Sequence, residues 1–214
     1  MATWDELFKD ERHRWRKPCE LVVNFAGVLR RCGAGRVLDV GCGAGRHIVF
    51  LARQGFHMYG VDNSPTGLAH ARAWVEEEGL EAEFRRAEMT FLPYRDGFFD
   101  GVVCVFAIYH GTLEEMRKAV SEIRRVLRPG GAALIMFKSQ ESYRYGRGRQ
   151  IEPNTFIPDE GYDAGTPHHY SDRSEVQDLL SGFSVVRLFH MQQGTEKHPS
   201  AWWVAEGTRP EGDL

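Results

Sequence analysis

The residues that most plainly point to a ligand are Val37-Leu38-Asp39-Val40-Gly41-Cys42-Gly43-Ala44-Gly45-Arg46. A short apolar run feeds a turn with glycine at every second position, and a helix-like pattern begins directly behind it. Glycine lets the main chain come close to a bound molecule, and the open N–H groups of a helix start favour negative charge there. Such a turn can also be a plain tight connection. What sets this one apart is Asp62, which ends the next apolar run roughly twenty residues on, where a carboxylate can accept hydrogen bonds from ribose hydroxyls. The spacing points to a nucleoside but not to a dinucleotide. A dinucleotide turn wants a third glycine where this chain has Arg46, whose side chain would hinder close packing against a pyrophosphate.

A second set of residues could move protons. His110 follows the fourth apolar run in Ala107-Ile108-Tyr109-His110, and His168 and His169 stand together in a late irregular stretch. Histidine is the side chain best tuned to exchange a proton near neutral pH, so Tyr109, His110, His168 and His169 are the candidate catalytic groups. The plainer reading makes His110 a loop fastener and the histidine pair a hydrogen-bonded anchor. Two adjacent histidines without a third ligand at useful spacing do not make a metal site. Trp4, Trp15, Tyr109 and Tyr170 could face a cationic ligand or roof a pocket, or simply fill the core. Arg46 and His47 are either further pocket residues or a solvated helix start. The run Tyr143-Arg144-Tyr145-Gly146-Arg147-Gly148-Arg149 has the residue types of an RNA contact. A net charge of −3 and the lack of an RNA-binding module favour instead a solvated loop or a clamp for a small anionic substrate.

These residues must be held by regular elements. Apolar strand-like runs alternate with helical stripes from about Arg36 to about Leu134, the pattern of a doubly wound α/β fold with a mostly parallel sheet. Strands are expected at 37–40, up to Asp62, around 83–87, at 102–106 and at 132–137. Ser64-Pro65 and the capping-box pairs Thr112/Glu115 and Asp172/Glu175 mark helix starts. Leu21, Val22, Phe25, Ala26 and Leu29 form an earlier amphipathic stripe. Residues 183–189 and 201–205 read as a long-looped edge hairpin. Ser139 to Ser171 shows no period, and a stretch that long is more often a binding insertion than idle chain.

The chain has 214 residues, which suits one domain, with residues 1–17 as an arm and 139–171 as a lid or acceptor insertion. Cys19, Cys32, Cys42 and Cys104 lack metal-ligand or disulfide spacing and read as buried thiols. The polar start carries no signal peptide, and no apolar run reaches the ~20 residues that span a bilayer, so a cytoplasmic location without a membrane partner is expected.

In order along the chain, the glycine turn, Gly60-Val61-Asp62-Asn63-Ser64, Ala87-Glu88-Met89, Phe99-Asp100-Gly101-Val102-Val103 and Val126-Leu127-Arg128-Pro129-Gly130-Gly131 resemble the motifs of class I S-adenosylmethionine-dependent methyltransferases. The likeness covers nearly everything from Val37 onward. Trp4, Phe8, Phe91-Leu92-Pro93-Tyr94 and Thr166-Pro167-His168-His169-Tyr170 narrow it towards a small-molecule branch similar to the tellurite-resistance type. The resemblance implies a Rossmann-like seven-stranded sheet with an antiparallel last strand and S-adenosyl-L-methionine as cofactor. It implies that Asp39, Gly41, Cys42, Gly43 and Gly45 hold the methionine half, Asp62 and Asn63 the ribose, and Glu88 with the Met89 amide the adenine. Phe106 would offer its backbone near the amino group. Glu88 departs from the aspartate more usual there, while Asp100 and Pro129-Gly130-Gly131 read as structural. The implied activity is in-line methyl transfer to a small-molecule acceptor. Nucleic acid and arsenic are disfavoured as acceptors, and the rival is a non-catalytic binding protein or partner subunit. Nothing in the pattern fixes an oligomeric state.

Overall fold

The computed structural model describes residues 4–212. Residues 1–3 of the expected arm, and 213–214 of the expected domain, lie outside them. The arm is a short helix α1 (Trp4–Lys9) and a 3-10 turn at Glu11–His13. Its anchor is Asp5, whose Oδ1 accepts from Ser64 Oγ at 2.9 Å and from Thr66 N at 2.8 Å. The carboxylate thus sits where the next-but-two helix presents open N–H groups.

The amphipathic stripe at Leu21–Leu29 is α2 (Glu20–Arg31), with Val22, Phe25, Ala26 and Leu29 buried. Then follow β1 (Arg36–Val40), α3 (Arg46–Arg53), β2 (His57–Asp62), α4 (Pro65–Glu77), β3 (Ala82–Arg86), β4 (Phe99–Cys104), α5 (Leu113–Val126) and β5 (Leu127–Lys138). The helix starts behave as their sequences require. Ser64 accepts from Gly67 N, and Thr112 and Glu115 make both halves of a capping box. Strands β1 to β5 pair in parallel. β4 lies earlier than expected, because Phe106 leaves the sheet with φ of 60°, and β5 starts earlier through a bulge opposite Phe99 and Gly101.

The insertion is not structureless. It folds into an antiparallel sheet of β6 (Arg149–Glu152), β7 (Thr155–Ile157) and β8 (His168–His169). This sheet is fastened to the main one by His169 N donating to Tyr109 O and Ser171 N donating to Lys138 O. Then α6 (Arg173–Leu179) leads into β9 (Ser184–Thr195) and β10 (His198–Thr208). These two make a long hairpin with a tight turn, not the long loop expected. Polar residues from Gln192 to Ser200 read as loop but pair as strand, which an edge with one wet face allows. The main sheet has seven strands in the order β3-β2-β1-β4-β5-β10-β9, with β10 antiparallel to β5. It is the doubly wound, Rossmann-like α/β sheet expected. Its order reverses between β1 and β4, which opens a crevice at their carboxyl ends.

Candidate active site

A cavity of about 670 Å³ occupies that crevice. Its floor is the glycine turn, held down by Gly41 N and Cys42 N donating to Val61 O at 2.9 and 3.0 Å. Asp62 pins the same turn: its Oδ2 accepts from Gly43 N at 2.8 Å and its Oδ1 from Ser64 N at 2.9 Å. Burial pushes the Asp62 carboxyl up to about 6, against these two hydrogen bonds. Asn63, Glu88 and Met89 line the cavity beside it, with Asn63 Nδ2 3.4 Å from Glu88 Oε2. Asp39 lies beneath the turn, 1% exposed, with neither carboxylate oxygen hydrogen-bonded. The nearest base is His47, whose Nδ1 is 3.6 Å from Asp39 Oδ2.

The roof comes from the two irregular segments. Trp4, Phe8, His13 and Trp15 of the arm line the cavity together with Tyr162 and Thr166 of the insertion. They meet above it, with the Tyr162 ring 5.6 Å from His13 and 6.0 Å from Trp15. Phe106, Tyr109 and His110 form the wall below. His110 stands among the rings of Tyr109, Trp4 and His168, at 4.5, 4.6 and 4.6 Å. Burial and the neighbouring His168 hold it well below the usual histidine range, and its Nδ1 is buried without a hydrogen-bond partner. Its surroundings therefore favour the neutral imidazole over the charged form.

Of the residues expected at the site, Gly41, Cys42, Gly43, Asp62, Asn63, Glu88, Met89, Phe106, Tyr109 and His110 line the cavity. Others do not. Gly45 caps α3 with φ of 90°, and a Cβ there would come within 2.9 Å of Ala71 Cβ, so its smallness serves the packing of α3 on α4. Cys42 contributes backbone; burial drives its thiol far up, and the sulfur lies against Gly60. His169 is a correction: it is fully buried, with Nδ1 2.7 Å from Thr155 Oγ1 and Nε2 2.7 Å from Glu175 Oε2. Glu175 is thereby spent on His169 and does not complete the expected second capping box. His168 also misses the cavity, its Nδ1 2.9 Å from Thr166 O and its Nε2 3.1 Å from Asp163 Oδ2. Tyr170 packs on Tyr145 and Phe156 behind it. Most of the Arg/Tyr run is exposed, as a solvated loop would be, while Arg144 is ion-paired to buried Asp163 at 2.6 Å and Arg147 lies 3.7 Å over the Tyr143 ring. Asp163 bears its charge despite burial because His168 and Arg144 both face it, holding its carboxyl below the usual range. Cys19 and Cys32 are half-buried rather than buried. Neither Tyr162 nor Asp163 was marked by any period or spacing in the sequence.

The donor set tests the expected cofactor. Asp62 and Glu88 in the lining, with Asp39 below, would repel a diphosphate but suit a ligand bearing hydroxyls, an amine and a positive sulfur, which is the make-up of S-adenosylmethionine. Among the described residues no helix is long and apolar enough to cross a membrane.

Residues 37–131 match the family described as Methyltransferase domain. A demethylmenaquinone methyltransferase of Thermus thermophilus is 36% identical over 103 residues, 47% of this chain and 46% of that protein. A probable S-adenosylmethionine-dependent methyltransferase of Mycolicibacterium smegmatis is 30% identical over 143 residues, 67% of this chain and 52% of that protein. The chain thus spans about half the length of these curated relatives. Among solved structures, a SAM-dependent methyltransferase from Methanosarcina mazei superposes with a TM-score of 0.71 at 22% identity, covering 82% of this chain and 92% of the other. The magnesium protoporphyrin IX methyltransferase of Synechocystis with bound SAM gives 0.64 at 20% identity, covering 95% and 83%. At such identities the structures speak for the fold and the sequence match for the lineage: the chain belongs to the class I S-adenosylmethionine-dependent methyltransferases.

Proposed function

We propose that this chain transfers the methyl group of S-adenosylmethionine to a small-molecule acceptor, and that it does so in one domain roofed by the arm at 1–17 and the insertion at 139–171. The observation that carries the reading is a single cavity lined by the glycine turn, Asp62 and Glu88 together with Phe106, Tyr109, His110 and the aromatic roof. Asp39 and the backbone of Gly41 and Gly43 would hold the methionine half. Asp62 with Asn63 would take the ribose hydroxyls, Glu88 and the Met89 amide the adenine, and the Phe106 backbone the amino group. When bound, the cofactor supplies an electrophilic methyl group on a sulfonium. The protein's own work is then to align an acceptor and exclude water, which the arm and insertion do by covering the crevice. His110, kept neutral, takes the proton of an acceptor that must shed one. His168 and Asp163 stand behind it as positioning residues. The demethylmenaquinone relative supports an acceptor of small-molecule size. Half-buried and buried thiols suit a reducing, cytoplasmic setting.

Calorimetric titration with S-adenosylmethionine and with NAD tests the cofactor: the first should bind and the second should not, and tighter NAD binding would overturn the assignment. Incubation with methyl-labelled cofactor and a metabolite extract tests turnover. Binding without any labelled product would favour a non-catalytic binding protein.

A further inference from the structure

Arg46 is the only arginine or lysine among the described residues that line the cavity. It is half-buried at the start of α3, with its guanidinium 5.3 Å from the Phe106 ring and 5.9 Å from the Trp15 ring of the roof. It makes no hydrogen bond and no ion pair among the described residues; Asp39 acts on it only at longer range. A guanidinium removed from water without a hydrogen-bonded partner is costly, and ring faces repay only part of the cost. A second cation backs the same wall. Lys138, 9% exposed at the end of β5, has its Nζ 4.2 Å over the Trp202 ring and 5.9 Å from the Tyr109 ring, again with no hydrogen bond or ion pair among the described residues; Asp163 acts on it at longer range. Trp202 in turn packs on Phe106 at 5.4 Å. The one acid of the insertion that reaches this region, Asp163, is already spent on Arg144 and His168. Beneath the roof the wall therefore holds two cations, Arg46 and Lys138, that no acid among the described residues hydrogen-bonds or ion-pairs.

We propose that Arg46, reinforced by the field of Lys138, receives an anionic group of the acceptor, so that the methyl acceptor is an organic acid bearing a carboxylate or similar oxyanion. This rests on the reading of the cavity as a methyl-transfer site. The planar fork of Arg46 suits a carboxylate, and the rings of Phe106 and Trp15 flank the place where the rest of an unsaturated acid would lie.

The test is calorimetry on the full chain saturated with S-adenosylhomocysteine, using benzoate, phenylacetate and 4-hydroxybenzoate as probes, each beside its neutral amide. The acids should bind, and their amides should bind weaker by roughly tenfold or more. Arg46→Gln should abolish that preference while leaving the dissociation constant of S-adenosylmethionine within about twofold, and Arg46→Lys should keep a weakened preference. Equal binding of acids and amides, or of neither, would overturn the proposal. So would an Arg46→Gln protein that loses affinity for S-adenosylmethionine but not for its decarboxylated analogue, since Arg46 would then serve the cofactor's own carboxylate. If the wild-type chain bound no S-adenosylhomocysteine, the methyl-transfer reading would fall. The same probes titrated against the chain alone would then still decide whether Arg46 selects acids.

Discussion

Asp62 works in two directions at once, holding Gly43 N and Ser64 N while it faces the cavity. Its carboxyl, raised by burial from 3.8 to about 6, binds a proton more tightly folded than unfolded. The stability it contributes is thus fully present below 3.8 and lost as pH rises through about 6, so the charged form is kept at some cost to the fold. Protonation removes acceptor capacity that a ribose would use. Cofactor affinity should accordingly weaken as pH falls from 7.5 through about 6, and Asp62→Asn should weaken it roughly tenfold at pH 7.5 and flatten that pH dependence. Titrations from pH 5 to 8 check this; a flat wild-type profile would remove Asp62 from cofactor binding. Asp62 was legible in the sequence because its position follows from one strand end and one turn. His169 was misread because its partners, Thr155 and Glu175, come from separate elements that only folding brings to it.

At the scale of elements, two glycines of one turn answer to different neighbours. A Cβ on Gly45 would meet Ala71 of α4 at 2.9 Å and its Cα at 3.1 Å, with φ of 90° already unfavourable. Gly45→Ala should lower stability by about 2 kcal/mol, a melting shift of several degrees, with little change in cofactor affinity for the folded fraction. A Cβ on Gly43 would meet the Phe8 ring at 2.8 Å, a side chain on the arm rather than in the sheet. Gly43→Ala should displace the arm and weaken cofactor binding, and limited proteolysis should then cut within residues 10–17 faster than in the wild type. Unchanged cleavage would mean that Phe8 is not what seats the arm. The insertion's small sheet escaped the sequence because β7 and β8 are too short for a two-residue alternation to show.

Across the whole molecule, the stretch that matches the methyltransferase domain ends at residue 131, and every roof residue lies outside it. The matched stretch thus supplies the cavity's glycine turn, Asp62 and Glu88, while the segments flanking it supply the roof. Starting the chain at Pro18 removes Trp4, Phe8, His13 and Trp15 from the cavity together with the Asp5 anchor. The truncated protein should keep its sheet but show a smaller melting increase with S-adenosylhomocysteine than the full chain, since ligand stabilisation scales with the logarithm of affinity. An equal increase in both would show that the arm covers the cofactor site without contributing to binding.

The sequence by itself determined the sheet, its glycine turn and the acidic residue at the next strand end, because each depends on interactions within a few residues and on apolar runs long enough to read. Tertiary structure alone decided which of three histidines reaches the cavity, that Asp163 pairs with Arg144 and contacts His168, and that Arg46 and Lys138 have no ion pair among the described residues. Those outcomes depend on distances between the arm, the insertion and the sheet edge, which residue spacing along the chain does not encode.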